Sequence, residues 1–247
     1  MLSSRIIPVL LLKGESLVKT TRFNHFHYVG DPCNSLRIFN ELEVDELMVL
    51  DISSSKKKIP PNFKLIKDMS SECFMPLSYG GGIRSIEDAK TIFDLGIEKI
   101  VINTYAIENP LFINQLSKYF GSQAIIVSID VNHTRFGKKR VFSHSIKKTS
   151  NLNPIDWAQK VEALGAGEIL LTSIENEGTW KGMDIDLIKN ISENISIPLI
   201  AHGGAGTYDH INHILDEGGA SAVGLGNMVT FQKKGNGVLI HMPKPVI

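Results

Sequence analysis

Short, nearly continuous apolar runs alternate along the chain with longer amphipathic segments. Eight runs read as strands, at 6–12, 47–52, 74–78, 99–102, 124–130, 168–172, 198–201 and 221–225. They lack strict in-out alternation, which suits parallel strands covered on both faces. Helical patterns fall between them at 35–43, 86–95, 110–120, 154–164, 184–191 and 208–217. Ser85 can cap the helix that opens with Ile86-Glu87-Asp88. Pro110 and Pro154 suit first turns, and Gly96, Gly165 and Gly218 sit where helices should stop. Eight strands interleaved with helices over 247 residues predict a single (β/α)₈ TIM barrel, one domain over 1–247, rather than an open doubly wound sheet.

The pattern also recurs at half length, which predicts half-barrel repeats of about 1–120 and 121–247. Residues 5–11 match 124–130. Leu50-Asp51-Ile52-Ser53 matches Leu171-Thr172-Ser173-Ile174, Tyr79-Gly80-Gly81-Gly82 matches His202-Gly203-Gly204-Ala205, and 96–104 matches 219–227. A two-fold repeat of this kind predicts two phosphate sites.

Charge narrows the function. Lys plus Arg and Asp plus Glu both number 26, so no broad nucleic-acid footprint is expected. The two cysteines, Cys33 and Cys73, make neither a disulfide framework nor a metal cluster, and read as reduced thiols. The N-terminus shows no basic region followed by a long apolar stretch, and no run is long enough for a membrane span. The expectation is a cytoplasmic protein with no cofactor and no metal.

Glycines after strands let backbone N–H groups approach an anion, and the next helix adds its positive end. The turns Gly80-Gly81-Gly82 and Gly203-Gly204 are therefore candidate phosphate sites, each joined by a second strand end, Asn103-Thr104 and Gly226-Asn227. They could instead serve only tight turns. Asp51 and Asp130 end apolar strands, where the polar groups of a barrel's active site belong. Lys19, on the loop expected after the first strand, could reach the mouth. Thr172, Glu177 and His202 are further mouth candidates. At the opposite end Arg5, Glu46, Lys99 and Glu168 sit at strand starts. They read either as solvated charges or as a closed ring of alternating ion pairs.

Together these residues resemble the HisF family, the cyclase subunits of imidazole glycerol phosphate synthase. The resemblance runs to about Phe231. It rests on Arg5-Ile6-Ile7, Gly30-Asp31-Pro32, Asp45-Glu46-Leu47, Gly80-Gly81-Gly82-Ile83, Ile102-Asn103-Thr104, Gly121-Ser122-Gln123-Ala124, the run from Gly165 to Ile174, and Gly203-Gly204-Ala205-Gly206. It implies a barrel that takes ammonia from a HisH-like glutaminase docked at the N-terminal face and passes it inside to the top. There the family joins it to a bisphosphorylated ribulosyl substrate. Arg5, Glu46, Lys99 and Glu168 match the family's ammonia gate. Lys19, Asp51, Asn103, Thr104, Asp130 and Thr172 match mouth residues. Gly81, Gly82, Gly178, Gly203, Gly204, Gly226 and Asn227 fall on phosphate-binding turns, with Asn227 replacing a serine, Glu177 an aspartate and His202 a serine.

One departure bears on catalysis. The family pairs two catalytic aspartates, and the partner of Asp130 falls at Leu11, which cannot transfer a proton. Residues 5–13 and 17–20 are similar to a divergent HisF-like branch associated with sugar amidation in surface polysaccharide synthesis, where a sugar amidotransferase is a further partner. The tail after Phe231 lacks the family's long eighth helix and reads as a short hairpin. Two other expectations stay open: a genuine cyclase of histidine biosynthesis, and a scaffold without ammonia passage.

Overall fold

The computed structural model describes residues 5–144, 148–233, 235 and 237–242. Residues 1–4 of the N-terminal segment, and Lys234, Asn236 and 243–247 of the tail, lie outside the described residues.

The elements run β1 (Arg5–Lys13), β2 (Ser16–Thr21), β3 (Asn24–Gly30), α1 (Pro32–Glu41), β4 (Leu47–Asp51), α2 (Ser54–Lys57), α3 (Phe63–Ser71), β5 (Leu77–Gly80), α4 (Ile86–Asp94), β6 (Lys99–Ile102), α5 (Thr104–Glu108), α6 (Leu111–Phe120), β7 (Ile125–His133), β8 (Lys139–Ser143), β9 (Lys148–Thr149), α7 (Pro154–Ala163), β10 (Glu168–Ser173), α8 (Ile185–Ser192), β11 (Leu199–His202), α9 (Tyr208–Asp216) and β12 (Ala222–Leu225). Eight of the strands pair in parallel in the order β1, β4, β5, β6, β7, β10, β11, β12, and β12 returns to β1. The sheet is therefore a closed (β/α)₈ barrel. Its strand ends point all candidate mouth residues to one face and the four strand-start charges to the other.

Alternation along the parallel strands divides the core in two. Leu10, Leu12, Val49, Tyr79, Ile100, Val127, Ile129, Leu171 and Val223 face outward and join Leu36, Phe39, Ile92, Leu116, Val161 and Ile191 of the helices. Ile7, Val9, Met48, Val101, Ile126, Leu170, Ile200 and Ala222 face inward and fill the barrel axis. The helices start where local chemistry allows. Asp31 caps α1 ahead of Pro32, and Ser85 with Asp88 forms a capping box on α4.

Two barrel strands share a feature the apolar runs do not foretell. β1 and β7 both run past the barrel rim into antiparallel hairpins, β1–β2–β3 and β7–β8–β9. The ladder also corrects the proposed alignment by one residue. Leu11 pairs with Leu50, whereas Asp130 pairs with Thr172, so Leu50 rather than Asp51 occupies the position of Thr172.

Three further expectations change. The strand expected at 74–78 is β5, Leu77–Gly80. Phe74 is 89% exposed, and its N–H is taken by Asn40 Oδ1, outside the ladder. Gly80 extends the strand because a residue without a side chain fits against Val101 and Leu50. Lys19 lies on β2 and not on a loop, because the chain reverses at Gly14 (φ 65°) and Leu17 and Val18 pair back onto β1. Helix α3, capped by Asn62, was not anticipated. After β12 the described residues form a 3₁₀ turn, Asn227–Val229, and an antiparallel bridge of Phe231 with Val238, a short return in place of a helix.

Candidate active site

The lower end of the barrel is closed by charge. Arg5 Nη1 meets Glu46 Oε2 at 2.8 Å, and its Nη2 contacts Glu168 Oε1. Lys99 Nζ lies 3.1 Å from Glu168 Oε2 and 3.4 Å from Glu46 Oε1. Each cation touches both carboxylates, so the four make an alternating ring, with Ser78 Oγ also donating to Glu46 at 3.4 Å. Burial opposes the charge on Arg5, but the hydrogen bonds and charges of Glu168 and Glu46 outweigh it and raise its pKa. Directly above lies the inward-facing apolar layer, then the upper pocket.

The upper pocket is a cavity of about 140 Å³ that opens at the barrel mouth. Leu11, Leu50 and Val101 form its apolar floor. Asp130 stands on the same floor, 5% exposed. Its Oδ2 accepts from Asn103 Nδ2 at 2.8 Å and faces His144 Nε2 at 2.7 Å. Across the pocket Thr172 Oγ1 lies 3.2 Å from His202 Nδ1. Burial, then the charge of Lys19, holds the His202 pKa down to about 4, with Asp130 opposing. Lys19 donates to the Val9 carbonyl from inside the barrel. Burial lowers its pKa to about 7 against the opposing charge of Glu177.

The other two carboxylates are engaged by their own chain. Asp51 Oδ1 accepts from Ser53 N and Oγ at 2.7 Å and from Ser54 N at 3.2 Å, and Oδ2 accepts from Ser54 Oγ. It therefore caps α2. Glu177 accepts from Thr20 Oγ1 at 2.8 Å and from Phe23 N at 2.9 Å, and ties the β2–β3 turn to the loop after β10.

The glycine turns differ in their relation to this pocket. Gly80, Gly81 and Gly82 line it together with Asn103 and Thr104. Gly203, Gly204, Gly226 and Asn227 do not, although Gly178 and Asn227 line a separate cleft with Arg22, Lys181 and Lys233. Both turns are packed by their own chain: a Cβ on Gly81 would meet Asp51 O at 2.4 Å and one on Gly204 would meet Gly182 O at 2.2 Å, while Asn227 Nδ2 points to the carbonyls of Thr20 and Gly178 at 3.4 and 3.5 Å. Among the described residues no three His, Cys, Asp or Glu side chains converge as a metal site, and no helix is long and apolar enough to cross a membrane. Cys33 and Cys73 are free thiols.

Residues 5–234 match the family model described as "Histidine biosynthesis protein". A Pseudomonas aeruginosa protein provisionally named imidazole glycerol phosphate synthase subunit hisF2 is 44% identical over 98% of this chain and 97% of its own length. A Leptospira borgpetersenii protein provisionally named as the HisF subunit of the same synthase is 44% identical over 98% of this chain and 96% of its own. A third, from Vibrio vulnificus, provisionally named subunit hisF3, is 41% identical over 99% and 95%. The chain belongs to the HisF family.

As a HisF-family barrel it has several pocket residues that strand-end reasoning missed, His144 among them. His144 follows β8 in the second hairpin, an element with no long apolar run. The signal available was the turn at Gly137 (φ 74°) followed by alternating Arg140-Val141-Phe142-Ser143, which reads as a short return strand. Thr20 and Phe23 of the first hairpin, and Ser128 of β7, also line the pocket without having been anticipated.

Proposed function

We propose that this chain is the synthase subunit of a glutamine-dependent amidotransferase complex. It takes ammonia from a HisH-like glutaminase at the lower ring, carries it through the barrel, and supplies it at the upper pocket for amidation of a sugar in surface polysaccharide synthesis. The observation that carries this reading is the coaxial stack of three layers: the Arg5–Glu46–Lys99–Glu168 ring, the apolar axis above it, and the polar pocket above that. Ammonia is small and neutral, so an apolar axis costs it far less than it would cost a hydrated ion.

The lower face supports a partner there. A cleft beside Lys99 is lined by Phe93, Phe120, Gln123 and Ala124, and Phe74 stands almost fully exposed on the α3–β5 loop. The glycine turn that lines the pocket, Gly80-Gly81-Gly82 with Thr104, suits one phosphate group of the ligand, and Leu11 separates the pocket from that of a two-aspartate cyclase. A sugar amidotransferase would be the second partner.

The test is to mix the purified chain with a HisH-like glutaminase and follow glutamine hydrolysis. The expected result is a stable complex with accelerated hydrolysis, and a changed transfer of ammonia when Lys99→Ala opens the ring. Absence of a complex together with an unchanged glutaminase rate would overturn the reading.

A further inference from the structure

We propose that His144, seated on Asp130, is the acid–base group of the upper pocket and does the proton transfer that Leu11 cannot. This rests on the reading that ammonia reaches this pocket. The argument is one of geometry and elimination. His144 Nε2 lies 2.7 Å from Asp130 Oδ2, and Asn103 Nδ2 holds the same oxygen from the other side at 2.8 Å. A carboxylate so placed fixes the orientation of the ring. Nδ1, with no partner among the described residues, is left for a ligand. The ring is also gripped by aromatic neighbours, Phe142 at 5.0 Å edge-on and Phe23 at 5.6 Å.

Phe23 is where it is at some cost. It holds a left-handed φ of 59°, unfavourable for a bulky residue, and is pinned there by Glu177 through its N–H. A strained turn held by a buried carboxylate, with its aromatic ring laid against an imidazole, is what preorganisation of that imidazole requires.

Of the other ionisable groups that line the pocket, all but Tyr105 are committed. Asp51 is saturated by α2, Glu177 by Thr20 and Phe23, and Arg84 pairs with Glu108 at 2.9 Å. His202 is buried against Thr172 beside the Lys19 ammonium. His144 alone among them combines a carboxylate partner, a 22% exposed side chain and a place in the pocket wall.

The step balances with this one group. As ammonia bonds to a carbonyl carbon, the C=O π pair moves to oxygen, which takes the proton from the His144 imidazolium. The nitrogen, now cationic, returns a proton to the neutral imidazole. Carbonyl and ammonia become a carbinolamine, and His144 ends protonated as it began.

The experiment uses the full chain with a ketose monophosphate, whose phosphate the glycine turn lining the pocket can hold, as probe and ammonium chloride as nitrogen source, glutamine being omitted. A failure of glutaminase docking then cannot be mistaken for a failure of this proposal. The expected result is ammonia-dependent product from the wild type, with kcat down about 10²–10³-fold in His144→Gln at a KM within about threefold. The limb of the pH–rate profile due to His144 should vanish, and added imidazole should restore turnover in His144→Gly. Asp130→Asn should lower kcat similarly. No ammonia-dependent product from the wild type, or a kcat in His144→Gln within twofold of wild type, overturns the proposal. A loss in KM alone, or a loss matched by a lower melting temperature and not rescued by imidazole, does the same.

Discussion

Lys19 Nζ and His202 Nε2 crowd the same face of Gly226: a methyl group built there would stand 3.3 Å from the first and 3.6 Å from the second. Two basic groups sharing one dry corner cannot both be charged cheaply. The sign of the resulting pH dependence follows. Folded, His202 stays neutral down to about pH 4, whereas unfolded it takes a proton near pH 6.5. Between those values the unfolded chain binds more protons, so its contribution to stability is complete above about pH 6.5 and is lost as pH falls to about 4. The size is at most about 3 kcal/mol. Urea unfolding of wild type and His202→Gln at pH 7, 6, 5 and 4.5 checks it: the difference between the two curves should change over this window. Parallel curves would rule it out.

Gly204 of the second glycine turn and Gly226 at the neighbouring strand end should respond unequally to alanine. Gly204 has φ +109° and no room beside Gly182 O, so Gly204→Ala should cost about 2 kcal/mol or more. Gly226 has φ −100° and meets only side-chain ends. Gly226→Ala should stay within about 1 kcal/mol while displacing the Lys19 ammonium. Urea midpoints of the two variants make the comparison.

Leu11→Asp should not lower ammonia-dependent turnover of the same ketose monophosphate probe, and should raise it in the His144→Gln background. Its cost is stability, about 1–3 kcal/mol, since a carboxyl group would enter a floor made by Leu50 and Val101. Turnover and melting measured on the same preparations separate the two effects. A fall in turnover at unchanged stability would contradict the place given to Leu11.

Arg5→Ala should destabilise the chain by about 2 kcal/mol. That is less than the ~3–5 kcal/mol for breaking a fully buried pair, because the Arg5 side chain is 29% exposed. The loss leaves Glu46 and Glu168 with Lys99 as their one remaining cation of the ring. Chemical denaturation in low and high salt tests this, and the deficit should persist in salt because both carboxylates are buried.

The barrel was legible because its strands are continuous apolar runs, and the lower ring because Arg5, Glu46, Lys99 and Glu168 each stand at the start of one. Asp130 was legible for the mirror reason, as a charge at an apolar strand's end. What stayed hidden lies on the hairpins. β3 is largely exposed and β8 is short, so neither carries a hydrophobic signature, and His144, Phe23 and Thr20 gain their meaning only when those hairpins fold over the mouth. Asp51 shows the reverse limit. Its place at a strand end marked it correctly as a mouth residue, but its four donors come from Ser53 and Ser54, whose local turn carries no sequence period. Phe74 was misplaced because an aromatic beside apolar residues looks like a strand, while the backbone ladder waited for Leu77.

Both hairpins rise from barrel strands, β1 and β7. β1 carries Leu11 and β7 carries Asp130. One arm presents Phe23 and Lys19, the other His144. The mouth is thus roofed by two arms whose side chains differ while their backbone pairing is alike, so a substitution on one arm leaves the ladder of the other untouched.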